Sequence, residues 1–403
     1  MLANHLNSIN IFDNVDKMFV TTVLVVSITS LLYRLMGRFD KPMVLGGLLA
    51  GVIIANLHLP QAYFDLDSCA HLGDVGLVLF MMLLGAQFDY KIVLEKKSNT
   101  LISLGSIILP FCCGLFIAKY LYFYNKGSDT AVPFFQFSII IGLSISISAF
   151  SLISMFLSHT NLVHKKISQI TLLAAATDDI FFWVIFGAII IHFQTNNIIM
   201  INESIIFVTY IILLIFVFPR LVRYIANRIN SAQQMLGFIV CGCFLSAVLA
   251  DSVDLHQVFG GFIFGLMLPR DNPHVLLIRN RLEDFVNVIL LPIFFAKIGA
   301  MANINIITNQ KIILIGLILA LIAFSTKFIG AYFSSRLLHI SKYESAFLAS
   351  LLNIRGVVEI VMIKVAWEIG LINLNILTIF IIVAMVTTWV ATWLAICFKR
   401  FLN

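Results

Sequence analysis

Residues 172–183 read Leu-Leu-Ala-Ala-Ala-Thr-Asp-Asp-Ile-Phe-Phe-Trp, and the two adjacent acids in this stretch decide the fold. Asp178 and Asp179 stand halfway along an apolar run from Ile167 to Phe193. This run can cross a bilayer, because about 20 apolar residues span the hydrocarbon. Each charge near the midplane costs roughly 2.5–3.5 kcal/mol, and two neighbouring carboxylates also repel, which favours proton exchange near neutral pH. The stretch therefore predicts a site for cations and protons inside a transporter.

The composition of the whole chain indicates a membrane protein. Of its 403 residues, 61% are hydrophobic and 11% are charged, whereas about 25% of a soluble domain is charged. The formal net charge of +6 is dispersed along the chain, so no nucleic-acid partner is expected. The sequence shows neither a His/Ser/Asp nucleophile set nor a metal cluster, so we expect no enzyme and no cofactor. The predicted class is an all-α polytopic protein of the lipid bilayer.

Apolar segments predict about 13 transmembrane helices. The second and the ninth are short, and a count of twelve remains an alternative that would move the N-terminus to the other side. The predicted spans are 17–36, 43–58, 71–88, 101–124, 133–158, 166–193, 203–226, 234–251, 255–268, 284–302, 311–338, 344–370 and 373–399.

The basic residues predict the orientation. Most lysines and arginines that flank the spans fall in the loops of one side, whereas Lys17, Lys119, Lys126 and Lys311 fall on the other. Because basic loops stay in the cytoplasm, we expect a cytoplasmic C-terminus and an external N-terminus. The loops are short, so residues 1–403 are expected to be a single transmembrane unit without a soluble regulatory domain.

Two of the predicted spans contain interruptions. In the fifth, residues 142–151 alternate serines with apolar residues, some of them β-branched. β-Branched residues are poor helix formers, and the serine hydroxyls can bond backbone groups that an interruption frees. In the twelfth, residues 353–359 place polar, charged and glycine residues at mid-membrane depth. Interrupted helices in corresponding halves indicate the binding site of a transporter. The fifth and twelfth spans are seven apart in the chain, and an odd number reverses the direction in which a span crosses the membrane. This layout predicts that spans four to six and eleven to thirteen are inverted repeats.

Further charged residues fall inside the predicted spans. Lys327 lies near the middle of the eleventh, where it either pairs with a carboxylate or extends to an interface; its distance from both ends favours the pair. Arg355 and Glu359 are one helical turn apart, so a local ion pair and a support for the broken helix both remain open. The sequence gives no role for Lys297.

Four other polar residues are expected near the surface. Asp251, Asp254 and His256 belong to an outer loop, where solvation or helix capping is the simpler interpretation. Lys364 is expected at the membrane interface. The acid pair and Lys327 therefore remain the main candidates for the site.

Several segments, taken in order, resemble those of the monovalent cation:proton antiporter superfamily, specifically its second branch. That branch holds bacterial sodium/proton antiporters, glutathione-gated potassium efflux systems and plant cation/proton exchangers. The resemblance covers nearly the whole chain, and the ordered set is more specific than any single motif. The matching segments are 142–151, 174–179, 249–270, 282–299 and 353–359.

The resemblance implies a role for each site residue. Asp179 corresponds to the essential acid that binds the cation or the protons, and Asp178 to the neighbour that pairs with Lys327. Together the two acids would bind the transported monovalent cation. The remaining predicted site residues are Thr177, Ser146 and Ser148 at the ion, and Asn353, Arg355 and Glu359 as support for the broken helix.

The resemblance also implies an architecture. Each chain would contain two inverted repeats with crossed broken helices. Two such chains would form a homodimer in a bacterial inner membrane. Transport would follow an elevator-type alternation of the core against the scaffold. The implied parts are scaffold and dimerisation helices in 17–88 and 234–302, a linker helix at 203–226, and core ion-transport helices in 101–193 and 311–399.

The expected function is secondary active exchange of a monovalent cation for protons, with sodium first and potassium or lithium as alternatives. The double acid with Lys327 resembles electrogenic members, which exchange two protons for one sodium. A potassium efflux or potassium/proton exchange subunit is an alternative, although such systems normally have a nucleotide-binding domain and a Gln-Asp pair. A non-transporting membrane sensor with the same fold is a further alternative, which Lys297 leaves open.

Overall fold

The computed structural model describes residues 14–36, 43–56, 66, 69–87, 97–125, 132–160, 162, 165–194, 217–252, 257–301 and 310–402. These residues form helices and turns, with no strand among them, as the composition predicts. A π-helical turn, Val286–Leu290, joins α11 to α12. The helices are α1 (Asn14–Met36), α2 (Met43–Asn56), α3 (Ala70–Gln87), α4 (Lys97–Asn125), α5 (Phe134–Ser146), α6 (Phe150–His159), α7 (Lys166–Gln194), α8 (Phe218–Ala226), α9 (Ala232–Asp251), α10 (Gln257–Met267), α11 (Pro273–Phe285), α12 (Leu291–Met301), α13 (Gln310–Leu337), α14 (Lys342–Leu352), α15 (Val357–Glu368) and α16 (Leu374–Lys399).

Several of the described helices can cross a bilayer by length and hydropathy. The five that satisfy both criteria are Asp16–Arg34, Thr100–Asn125, Ala232–Asp251, Gln310–Leu337 and Leu374–Lys399. Four shorter helices are also apolar: Gly46–Ala55, His71–Gln87, Phe134–Ser146 and Gln257–Met267. Helical membrane protein is therefore the class that the described residues support, and the count of thirteen spans stays a prediction.

The chain divides into two compact units. The first comprises Met1–Leu35, Gly46–Phe88 and Ile190–Ala300. The second comprises Met36–Leu45, Asp89–Ile189 and Met301–Asn403. Most of the predicted linker helix, residues 203–216, lies outside the described residues, as do Asp254 and His256.

The first unit packs its helices through small residues. A Cβ on Gly51 of α2 would overlap the backbone carbonyl of Ala296 on α12, and one on Gly265 of α10 would overlap that of Met82 on α3. Small residues at helix crossings let backbones approach closely, which is how helices associate in a membrane. An apolar cluster surrounds the first of these crossings: Val25, Ile54, Cys69, Ile293 and Ala296.

The second unit contains both interruptions that the sequence predicts. The first lies between Ser146, the last residue of α5, and Phe150, the first of α6. The second separates α14 from α15 at residues 353–356. The backbone N–H of Ala149 donates to the carbonyl oxygen of Ile354, with an N–O distance of 3.0 Å. A backbone hydrogen bond therefore joins the two interruptions.

Side chains satisfy part of the backbone that the second interruption frees. The hydroxyl oxygen of Thr388, on α16, accepts a hydrogen bond from the backbone N–H of Arg355 at 3.0 Å. The same hydroxyl lies 2.6 Å from the Arg355 carbonyl oxygen, to which it can donate. Such partners are required because an unsatisfied backbone group inside a membrane costs several kcal/mol.

The crossing of α4 and α13 determines which part of α4 lies beside Lys327. A Cβ on Gly330 of α13 would overlap the carbonyl oxygen of Gly105 on α4, so the two backbones touch there. Lys327 precedes Gly330 by about one helical turn. The crossing therefore brings Lys327 beside the segment of α4 that contains Ser103 and Ser106.

Candidate ion-binding site

The two adjacent acids lie inside the second unit. Asp178 is 1% exposed and Asp179 is 0% exposed, and both belong to α7. The turn of α7 before them consists of the alanines 174–176, which are also buried. Their small side chains allow neighbouring backbones to approach this part of the helix. The acids are therefore enclosed by protein.

Asp178 is surrounded by hydrogen-bond donors. The hydroxyl of Ser148, in the first interruption, lies 2.7 Å from Asp178 Oδ2. Ser106 on α4 lies 2.9 Å from the same oxygen, and the Ser103 hydroxyl donates to Oδ1. Lys327 Nζ is 3.4 Å from Oδ2, which forms a buried ion pair. The carboxylate of Asp178 is thus compensated from three elements of the unit.

Asp179 has a different environment. No side chain in the part of the chain that the structure describes donates a hydrogen bond to either of its carboxylate oxygens. The backbone N–H of Phe150 lies beside it, at the first residue of α6. That N–H belongs to the positive end of the α6 dipole, which favours negative charge. Asp179 is therefore a buried acid with free acceptor positions.

Lys327 is fully buried and bonded at several points. It is 0% exposed, so its ammonium does not extend to a membrane interface. Besides Asp178, Nζ donates to the carbonyl oxygen of Ser146 and reaches that of Ser106 at 3.4 Å. The carbonyl of Ser146 belongs to the C-terminal end of α5, which carries partial negative charge. Lys327 therefore interacts with the broken helix as well as with the acid pair.

Arg355 interacts with the same end of α5. Its Nη1 lies 3.1 Å from Glu359 Oε1 and 2.5 Å from the carbonyl oxygen of Ser144. Its Nη2 donates to the carbonyl oxygen of Ile145. Both interpretations that the sequence left open are present in the geometry, because the local ion pair also satisfies carbonyls at the first interruption.

Three of the predicted site residues do not contact an acid. The hydroxyl of Thr177 donates to the carbonyl of Leu173 in its own helix, at 2.8 Å. The Ser146 hydroxyl likewise donates to Leu143, at 3.0 Å. Asn353 donates through Nδ2 to Ala349 at 2.9 Å, while its Oδ1 has no partner among the described residues. Of the predicted hydroxyls, only that of Ser148 reaches the acid pair in the described residues.

The sequence did not predict the two serines of α4. Ser103 and Ser106 are three residues apart, so both lie on one face of the helix. A pair of hydroxyls with this spacing in an apolar span is the signal that could have identified them.

Two lysines elsewhere differ from each other in burial. Lys364 is 5% exposed and lies 3.3 Å from Glu368, and its position at the membrane interface stays a prediction. Lys297 is half-buried, and the described residues include no ion-pair partner for it.

The charges of the site do not balance within the acid pair and its lysine. Two carboxyl groups, if both are ionised, face one ammonium at close range. Burying an uncompensated charge is unfavourable, so a proton or a metal cation near Asp179 would stabilise the cluster. The arrangement can therefore bind either kind of positive charge at one place.

An all-helical membrane protein with a buried acid pair, a lysine and two interrupted helices is the class that the fold and the site define. A family model described as "Sodium/hydrogen exchanger, transmembrane" matches residues 22–398. The chain belongs to this family, which confirms the resemblance to the cation:proton antiporter superfamily.

Individual relatives are distant but cover most of the chain. The chain is 27% identical over 390 residues to the Na(+)/H(+) antiporter NhaS4 of Synechocystis, covering 93% of this chain and 95% of that protein. It is also 27% identical over 395 residues to K(+)/H(+) antiporter 1 of Saccharomyces cerevisiae, covering 92% of this chain and 45% of the yeast protein. The chain thus spans just under half the length of the yeast relative.

A solved structure has a similar fold. The sodium proton antiporter MjNhaP1 from Methanocaldococcus jannaschii matches with a TM-score of 0.68 over 94% of this chain and 96% of that chain. The sequence identity is 16%, so the similarity concerns the fold alone.

Proposed function

We propose that the protein is a secondary active antiporter that exchanges a monovalent cation for protons, with sodium as the first candidate. The observation that carries the proposal is Asp179, which is fully buried and receives no hydrogen bond from a side chain of the described residues. Its neighbour Asp178 is already paired with Lys327. Asp179 can therefore bind a proton or a cation, but a cation needs the ionised carboxylate, so the two compete.

The exchange is proposed to be electrogenic. In one load the two acids carry two protons; in the other they carry one cation after Lys327 releases Asp178. These loads differ by one elementary charge, and moving one charge is worth about 2.3 kcal/mol per 100 mV. The membrane potential would then help to drive transport.

The architecture that we propose follows the resemblance. Thirteen spans in two inverted repeats, with crossed broken helices, would place the C-terminus in the cytoplasm of a bacterial cell and the N-terminus outside. The second unit, which holds the buried charges, would be the mobile core, and the first unit would be the scaffold and dimerisation part of a homodimer. Elevator-type alternating access would carry the acid pair across the inner membrane. The presence of every buried charged side chain of the described residues in the second unit supports this assignment.

Potassium is the second candidate cation. A relative from yeast, 27% identical, bears the name K(+)/H(+) antiporter, and carboxylate and hydroxyl oxygens accept sodium, lithium and potassium. A sensor without transport and an enzyme have less support, because the family consists of exchangers and the site has no evident nucleophile.

The proposal is tested by proton flux in proteoliposomes after a pulse of sodium, lithium or potassium. Wild-type protein should respond to at least one of these cations, and Asp179→Asn should abolish the response, because the neutral amide cannot exchange a proton or carry the charge that binds a cation. Asn has nearly the same size as Asp, so the folded protein should be retained. Unchanged exchange in this variant would remove Asp179 from the site.

A matched control separates the loss of the acid from a general defect. Thr171→Val changes a residue about two turns before Asp179 on the same helix, and the hydroxyl of Thr171 donates within that helix, to Ile167 at 2.8 Å. This variant should retain exchange. Equal inactivity of both variants at equal folded yield would contradict the assignment of the charge to Asp179.

A further inference from the structure

Asp178 has more donors around it than an ion pair requires. We propose that Ser103, Ser106 and Ser148 form a hydroxyl clamp, which holds the ionised Asp178 in place when Lys327 releases it and thereby sets the cation affinity of the site. The inference rests on the proposed exchange function and adds two positioning residues of α4 to it.

The clamp occupies both oxygens of the carboxylate. Ser103 donates to Oδ1, while Ser106 at 2.9 Å and Ser148 at 2.7 Å reach Oδ2. An ionised carboxylate has about four lone-pair positions, two on each oxygen, so Ser103 leaves one position free on Oδ1, while two serines and Lys327 share those of Oδ2. The hydroxyls come from α4 and from the first interruption, whereas Lys327 comes from α13. The orientation of Asp178 is therefore maintained without α13.

Of the donors to Oδ2 of Asp178, Lys327 makes the longest contact. Its Nζ–Oδ2 distance is 3.4 Å, longer than either serine contact to that oxygen. The ammonium also has the carbonyl of Ser146 as an acceptor. It can therefore leave Asp178 while keeping a partner, and the carboxylate keeps three hydrogen bonds.

Each hydroxyl of the clamp has a single proton, and its choice of acceptor depends on the charge of Asp178. Ser106 can donate to Asp178 or to the carbonyl oxygen of Ser103, at 2.8 Å. Ser148 can donate to Asp178 or to the carbonyl oxygen of Leu352, at 3.1 Å. Both hydroxyls can turn toward the carboxylate when it is ionised and toward the backbone when it is protonated, without movement of heavy atoms.

Ser103 differs from the other two serines. Its hydroxyl has Asp178 as its one acceptor within the described ranges. When Ser106 donates to the carboxylate, it gives up its hydrogen bond to the Ser103 carbonyl. Its stabilisation of the ionised form is therefore only the difference in free energy between these two hydrogen bonds. The contribution of Ser103 is not reduced in this way. Removal of Ser103 should therefore have the larger effect on cation binding.

The experiment compares Ser103→Ala and Ser106→Ala with Ser334→Ala in the full-length protein reconstituted in liposomes. Ser334 is a matched control, because it is buried on α13 beside Gly105 and its hydroxyl donates within its own helix, to Gly330 at 2.8 Å or Ala331 at 3.1 Å. We expect the apparent KM for sodium (or for the cation that the wild type exchanges) to rise about tenfold or more in Ser103→Ala, since tenfold is the lower end of the effect expected for one hydrogen bond to a charged group. The rise should be smaller in Ser106→Ala and absent in Ser334→Ala.

Two further readouts distinguish the clamp from a structural role. The maximal rate at saturating cation should be retained, and the pH profile should move toward alkaline pH in the order Ser103 then Ser106, because lost donors disfavour the ionised carboxylate. Ser103→Cys keeps the volume with a weaker donor, so it should show an intermediate KM even if Ser103→Ala folds poorly. A fall in maximal rate alone, or KM values equal to those of Ser334→Ala, would overturn the inference.

Cation-dependent thermal stabilisation in detergent separates failure of the clamp from failure of the function. If the wild type exchanges cations and Asp179→Asn does not, unchanged serine variants would overturn the clamp alone. If the wild type shows neither exchange nor stabilisation by any alkali cation, the proposed function fails and the clamp with it.

Discussion

The two units of the molecule have opposite interiors. In the first, the buried polar side chains among the described residues are Thr21 and Thr29, and its helices touch through glycines. In the second, the buried side chains include six charged groups: Asp178, Asp179, Lys327, Arg355, Glu359 and Lys364. Charges enclosed by membrane helices are expensive and mark ion pathways. The first unit is thus built for close packing, and the second for holding charge.

The second unit holds its charges by combining them with broken backbone. The carbonyls at the end of α5 would be unsatisfied inside a membrane, and Lys327 and Arg355 donate to them. Each cation is in turn paired with an acid. The interruptions and the buried charges therefore depend on each other, which has no counterpart in the described interior of the first unit.

The largest effect is expected from Arg355→Leu, which breaks this dependence. The change leaves Glu359 buried without its partner and frees the carbonyls of Ser144 and Ile145. Removing one partner of a buried ion pair costs about 3–5 kcal/mol. The apparent melting temperature in detergent should fall sharply, and exchange should fall with the yield of folded protein.

The double variant Arg355→Leu/Glu359→Leu sharpens the comparison. Both charges are then absent, so the part of the cost that comes from the unpaired Glu359 should disappear, while the free carbonyls of α5 remain. The double variant should therefore melt above Arg355→Leu and below the wild type. A single variant as stable as the wild type would show that the pair does not support the interruption.

The sequence predicts these charges better than it predicts their neighbours. The cost of an acid pair or a lysine in an apolar run is local information, so Asp178, Asp179 and Lys327 stand out without a structure. The serine residues 142–151 and the polar residues 353–359 likewise mark both interruptions. These signals also gave the helical class and the resemblance to the family.

The rest depends on which helices meet. A serine costs little in a membrane span, so Ser103 and Ser106 gain importance only because α4 crosses α13 at Gly105 and Gly330. The resemblance implied that Thr177 and Ser146 lie at the ion, but both hydroxyls donate within their own helices. Which acceptor a hydroxyl finds depends on tertiary contacts, and the spacing of residues in the sequence does not reveal these contacts.

A smaller effect, on transport rather than folding, is expected from Lys327→Ala. Asp178 keeps three hydroxyl partners in this variant, so the loss of stability should be smaller than in Arg355→Leu, while the binding site loses one positive charge. The charge moved per cycle should change, which a shift of the reversal potential under imposed potentials would report. Lys297→Ala removes a half-buried lysine of the first unit and should leave the reversal potential unaltered. An unaltered potential in Lys327→Ala would count against the ion pair as part of the mechanism.

The smallest effect on exchange is expected from the first unit, where two glycines offer the same chemical change in different surroundings. A Cβ at Gly51 would overlap the carbonyl of Ala296, whereas a Cβ at Gly237 would meet no atom within 4 Å. Gly51→Ala should destabilise the protein by about 1–3 kcal/mol, the usual cost of overpacking. Gly237→Ala should be neutral or stabilise by about 0.5–1 kcal/mol, because alanine favours a helix.

Thermal unfolding measures both changes in stability. The KM for the cation should stay the same in both variants, since the buried charges lie in the other unit. A changed KM in Gly51→Ala would show that the packing of the first unit also determines ion binding, and the contrast between the two interiors would then be one of composition and not of function.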